Sequence, residues 1–167
     1  MERGGRAACD GSSGGEREMR VIVVGVDHSE GAKEALRFAY EEAQLREETL
    51  RAVHAWQLGY IGAAGIEGSV PVLGAELSEH RAAAKTALDA TVRETIPDTG
   101  GVTIERRVVE GAAAAVLVEE SRGADLLVVG SRGHGGFAQL LLGSVSQQCA
   151  HHAECPVVIV RPRAGTH

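Results

Sequence analysis

Between Val128 and Ser144 the chain places five glycines and two serines directly after a compact apolar run and directly before a helical pattern. Glycine can visit positive φ and turn successive backbone N–H groups toward one point, and a helix N-terminus adds unpaired amides and the positive end of a dipole. Together these make a cradle for phosphate. The spacing is Gly130-x2-Gly133-x9-Gly143-Ser144, which sets Ser144 as N-cap, offering both amide and hydroxyl. The only lysines, Lys33 and Lys85, lie outside this stretch, so the lysine of a GxxxxGKS/T loop is absent.

Other residues invite chemistry and are weighed against plainer roles. Asp27 closes the apolar run 21–26, where a carboxylate can accept from ribose hydroxyls or an adenine amino group, or simply cap the next helix. His28 and His134 flank the same region and have the right pKa range for general bases, though histidine beside phosphate serves equally as a donor. Gly133-His-Gly-Gly-Phe-Ala138 fits the dinucleotide pattern GxGxxG/A, but its helix begins only at Ser144 and the acidic Glu154 precedes a strand rather than ending one. Cys149, His151, His152 and Cys155 have the elements of a soft-metal site. On one helix, however, His151 points about 100° away from the Cys149 and His152 face, which favours a core cysteine and surface histidines. No metal ligand and no nucleophile–base–orienter set is read.

These residues need elements to hold them. Residues 21–26 read as a buried strand. Ser29 caps a helix with Glu30 in its first turn and Ala32, Ala35, Leu36, Phe38, Ala39, Tyr40 and Ala43 at helical spacing. A second strand covers 50–56, and the Gly-rich stretch 57–75 reads as a lid or mobile loop. A helix over 77–96 carries Leu77, Ala84, Leu88 and Val92 along one face and ends at Pro97. There follow a strand at 102–109, a helix at 112–121, a strand at 125–129, a helix at 144–154 and a last strand, Pro156-Val-Val-Ile-Val160. Five strands alternating with helices predict a single three-layer α/β domain, an open, doubly wound, Rossmann-like parallel sheet of order 3-2-1-4-5. Its switch point lies between strands 1 and 4, where Asp27 and Gly130 fall.

The glycine signature, the Val145-Ser146-Gln147-Gln148 that follows it, the ending Cys155-Pro-Val-Val-Ile-Val-Arg161 and the opening Val23-Val-Gly-Val-Asp-His-Ser29 resemble the universal stress protein family in its ATP-binding branch. The resemblance covers about residues 19–163. It implies an ATP site, with Mg²⁺ or Mn²⁺ able to accompany the nucleotide at the Ser144 hydroxyl. Gly25, Val26, Asp27 and Val53 would hold adenine and ribose, and Gly130, Gly133, Gly143 and Ser144 the phosphates. Val129, Ser131, Arg132, Val145 and Ser146 complete the set. It also implies a homodimer paired through strand 5 and a nucleotide-responsive stress regulator or protective factor. The alternatives are a slow ATP-hydrolysing switch and a nucleotide-free interaction module.

Composition sets outer bounds. Hydrophobic residues reach 44% while aromatics are 3%, so the core is aliphatic, as in helix-covered parallel sheets. A net charge of −6 argues against a general nucleic-acid partner. Three cysteines, an odd and small number, suit a reducing compartment. With no transmembrane run and no apolar leader, a cytoplasmic protein without membrane partners is expected. Residues 1–18, Gly- and Ser-rich and charged, are expected to be a disordered tail, 164–167 a short second tail, and Met19 an alternative start.

Overall fold

The computed structural model describes residues 20–57, 74–133 and 142–162. The expectations for the N-terminal tail, for Met19 and His134, for most of the 57–75 loop and for 164–167 lie outside these residues. The elements are β1 (Val21–Gly25), α1 (Glu30–Arg46), β2 (Thr49–Trp56), α2 (Gly74–Thr95), β3 (Ile104–Glu110), α3 (Ala113–Glu120), β4 (Leu126–Gly130), α4 (Ser144–His152) and β5 (Val157–Val160). All strands are parallel, in the order β3-β2-β1-β4-β5, with Val24 beside both Ala52 and Val128. This is the predicted sheet.

The alternating side chains of the central strands divide the core into two layers. Ile22, Val24, Leu50, Ala52 and Val128 pack with α1 and α2, while Val21, Val23, Val53, Leu127 and Val129 pack with α3 and α4. A strand covered on both faces has no polar side to show, which is why β1 and β4 read as unbroken apolar runs. Helix α1 lies close to the sheet because its inner face is mostly alanine: Ala32, Ala35, Ala39 and Ala43 are buried around Leu36. Ser29 caps it as expected, accepting from the Ala32 amide at 3.2 Å.

Helix α2 departs from the sequence reading. It begins at Gly74, and only its C-terminal half docks, through Leu88, Thr91, Val92 and the following Ile96; Leu77 and Ala84 remain partly exposed. Periodicity identified the face without saying how far the sheet extends beneath it. Pro156, having no N–H, stands outside the β5 ladder but accepts from Leu127 N at 2.9 Å.

The exit of α1 is strained. Glu47 adopts φ 56° and ψ 43°, the left-handed cap conformation that glycine takes without steric cost. Glu47→Gly is therefore expected to stabilise the fold by about 1 kcal/mol, raising Tm by roughly 2–4 °C. A melt showing a lower Tm would mean that the Glu47 side chain contributes more than its backbone costs.

Candidate functional site

Strands β1 and β4 are neighbours whose following helices lie on opposite faces, so a cleft opens between their carboxyl ends. Its volume is ≈ 530 Å³. Of the residues singled out from sequence, twelve line it: Gly25, Val26 and Asp27 after β1, Val53 from β2, Val129, Gly130, Arg132 and Gly133 from the end of β4, and Gly143, Ser144, Val145 and Ser146 at the start of α4. Ala32, Ala55, Ala113, Leu117 and Leu142 complete the wall and were missed. They are small or aliphatic residues whose pattern signals packing alone.

Ser131 is the exception. It is 2% exposed and does not line the cleft. Its amide donates to Val160 O at 2.7 Å and its carbonyl accepts from Gly143 N at 2.7 Å, so it fastens both ends of the 131–143 segment to β5 and to each other. Ser146 reinforces this closure, its Oγ lying 2.9 Å from Gly143 O and 3.1 Å from Ser131 O.

The start of α4 also differs from expectation. The N-cap is Gly143, in ordinary extended backbone (φ −78°, ψ 165°), and Ser144 is the first helical residue. No side chain caps the helix, and Gln147 is the first residue whose amide reaches back to an acceptor in this turn, at Gly143 O, 3.0 Å away. The amides of 144, 145 and 146 therefore open the helix without an intrahelical acceptor, where the dipole favours an anion. Left-handed backbone is not what position 143 requires. A Cβ there would come into ordinary contact with Arg132 Cα and Ser131 O, both at 3.5 Å, so a side chain at 143 would be tolerated by the backbone.

Gly130 and Gly133 serve other contacts. A Cβ on Gly130 would lie 2.8 Å from Gly31 C, and one on Gly31 would lie 2.7 Å from Arg132 O, so the α1 N-terminus and the end of β4 meet backbone to backbone. A Cβ on Gly133 would strike the Asp27 carboxylate at Oδ2. The other oxygen of Asp27 accepts from Ser29 N at 3.1 Å and Ser29 Oγ at 2.5 Å, which ties the carboxylate to the start of α1 and fixes its direction.

His28 does not line the cleft. It takes φ 66°, and its Nδ1 lies 2.6 Å from Thr91 Oγ1 on α2. Since that hydroxyl donates to Ala87 O, it accepts from His28. The imidazole stands 4.8 Å from that of His54, whose own Nδ1 donates to Val26 O at 2.7 Å. The general-base role considered for His28 finds no support in this placement. Cys149 is core, with burial pushing its thiol up to about 11, and burial also raises the thiol of Cys155. Both therefore remain protonated at neutral pH and make poor nucleophiles. His151 and His152 are exposed, and among the described residues no group of three or more His, Cys, Asp or Glu side chains gathers that could hold a metal.

The universal stress protein family profile matches residues 18–161. A universal stress protein of Mycolicibacterium smegmatis is 36% identical over 146 residues, covering 85% of this chain and 46% of its own. One from Mycobacterium tuberculosis is 38% identical over 141 residues, covering 84% and 45%. The chain thus spans a little under half the length of these relatives. Among solved structures, UspA from Lactobacillus plantarum superposes with a TM-score of 0.68 at 21% identity, covering 86% of this chain and 98% of that one. A universal stress protein in complex with cAMP gives 0.58 at 27% identity, covering 86% and 98%. By sequence match and by fold, this chain belongs to the universal stress protein family.

Proposed function

We propose that the cleft binds an adenine nucleotide, with ATP as the ligand, and that the protein is a cytoplasmic, nucleotide-responsive regulator or protective factor in stress. The observation that carries this reading is the uncapped first turn of α4 opening onto a cleft whose opposite wall is apolar. Val26, Val53, Val129 and Leu117 suit a base, Asp27 accepts from ribose hydroxyls or the adenine amino group, and the amides of 144–146 with Arg132 receive phosphate. A volume of ≈ 530 Å³ is in keeping with a small-molecule site. The relative solved with cAMP, at 27% identity, supports the ligand class. Mg²⁺ or Mn²⁺, where present, would arrive with the phosphates and meet the Ser144 hydroxyl, neutralising charge that the protein leaves uncompensated.

Gly143→Val tests the phosphate end. Its new Cβ would stand in ordinary contact with Arg132 Cα and Ser131 O at 3.5 Å and its φ is ordinary, so the variant is expected to fold, with its branches crowding the head of α4 where a phosphate would sit. Calorimetry is expected to show ATP affinity weakened at least about tenfold, with Tm near wild type. Wild-type affinity would remove the assignment, and deletion of residues 1–18 should leave binding unchanged.

Turnover is expected to be slow. A cradle that holds phosphate equally in ground and transition states gives affinity without rate. Arg132 is the one basic side chain of the glycine signature, and the sequence has no acidic residue between Asp125 and Glu154 to position water or metal. Hydrolysis below about 1 s⁻¹ is expected in a single-turnover assay with metal. Release of phosphate within seconds, lost in Arg132→Ala, would make the protein an enzyme.

The chain acts as a homodimer in this reading. Among the described residues β5 pairs only with β4, leaving an apolar edge that invites pairing. A two-fold contact of β5 with its copy would cover that edge on both chains. Sizing chromatography at micromolar concentration should give a dimer for the wild type and monomer or insoluble protein for Ile159→Asp; a monomeric wild type contradicts the interface.

A further inference from the structure

Among the described residues, Asp27 is the one carboxylate on the cleft wall, and the main chain that carries it is held on both sides by imidazoles that do not themselves line the cleft. The register of β1 with β2 ends at Gly25 beside Val53. One residue on, Val26 N donates to Val53 O at 2.9 Å and Val26 O accepts from His54 Nδ1 at 2.7 Å. Both backbone polar groups of the residue before Asp27 are thus tied to β2. On the other side of Asp27, His28 sits at φ 66° and its Nδ1 donates to Thr91 Oγ1 at 2.6 Å, a buried residue of α2. Thr91 donates in turn to Ala87 O at 3.0 Å, which fixes the direction of its oxygen. The two rings stand 4.8 Å apart between centroids, tilted by 42°, so the ties join into one brace spanning β1, β2 and α2.

The brace is more than packing. A non-glycine residue at positive φ is strained, and such strain persists where neighbours over-determine the conformation, as they do at ligand clamps. Position 54 lies on the same face of β2 as Leu50 and Ala52, which are fully buried and apolar. An apolar side chain there would pack equally well, yet would bring no donor to Val26 O. What the brace delivers is the place of Asp27, whose Cα lies between two anchored residues. Ser29 then sets the rotation of the carboxylate through Oδ1, with Oδ2 on the Gly133 side.

We propose that His54 and His28 are positioning residues of the cleft, holding the main chain of 26–28 so that the Asp27 carboxylate meets the ribose hydroxyls or the adenine amino group. The ligand in this inference rests on the adenine nucleotide reading, whereas the brace is a property of the ligand-free chain.

The test uses the full chain, first without ligand. The Asp27 carboxyl carbon and the Ser29 amide should shift in NMR spectra of His54→Ala and stay near wild type in His54→Asn, whose side-chain amide nitrogen stands where Nδ1 stood and can donate to Val26 O. Neither variant carries the ring, so its magnetic effect does not separate them. In calorimetry, His54→Ala should weaken ATP about five- to tenfold, and His54→Asn should restore affinity to within about twofold of wild type. His28→Asn, which keeps a donor and tolerates positive φ, should also stay within about twofold, against a loss of about five- to tenfold in His28→Ala. In an Asp27→Ala background the loss from His54→Ala should shrink below about twofold, because the imidazole acts through Asp27. The proposal is overturned if His54→Ala, shown folded by its melt, leaves the Asp27 and Ser29 resonances in place, if His54→Asn fails to restore them, or if the losses from His54→Ala and Asp27→Ala add. A wild type that binds no ATP while these resonances respond as expected would remove the nucleotide reading and uphold the brace.

Discussion

Gly31 and Gly130 meet without a side chain between them, and the geometry of the cleft follows from that approach. With a Cβ on either residue placed within 3 Å of the other segment's backbone, the start of α1 and the end of β4 could not lie together as they do. Their contact sets where the chain leaves β4, and the Ser131 hydrogen bonds to Val160 and Gly143 then return it to the head of α4. The anion-receptive turn of α4 is thus positioned by backbone contacts rather than by side chains. Asp27 belongs to the same assembly, since Ser29 both caps α1 and holds the carboxylate against Gly133.

This explains which parts of the site could be read from sequence. The glycine spacing and the switch-point rule located the cleft, and twelve of the residues named from the glycine signature and the family resemblance line its wall. What glycine alone does not say is why it is needed. Gly130 and Gly133 make room for protein atoms, Gly143 could carry a Cβ in ordinary contact with the backbone of Ser131 and Arg132, and none of the three needs left-handed backbone. Ser144 read as a cap because serine is a favoured N-cap, yet the helix starts one residue earlier than that role requires. Gly31 was overlooked because a glycine inside the first turn of an amphipathic helix has no periodic signature. Its reason is a contact with Arg132, about a hundred residues away in the chain.

The fold was more legible than the site. Strand order follows from alternation and from the rules of parallel connection, and apolar runs such as Val21–Gly25 and Leu126–Gly130 announce central strands. Errors sit where tertiary extent decides. The first half of α2 has helical sequence and forms helix, but Leu77 and Ala84 stay partly exposed there, and burial begins only at Leu88. Similarly, α4 stops at His152 because Ala153 is extended (ψ 145°), a boundary that composition gave no reason to place before Glu154.

The two ends of the sheet differ in how they treat charge. At the carboxyl end, the amides of 144–146 open α4 without an intrahelical acceptor, beside a carboxylate, Asp27, that Ser29 engages. At the amino end lies the C-terminus of α1, whose last carbonyls carry the negative end of its dipole. Helices in a parallel α/β sheet run antiparallel to their strands, so their positive ends meet at one rim and their negative ends at the other. The fold therefore carries an anion-seeking rim and a cation-seeking rim as a matter of topology. Sequence decides how far each is exploited: at the first, no side chain caps the head of α4, and its opening amides keep no intrahelical acceptor.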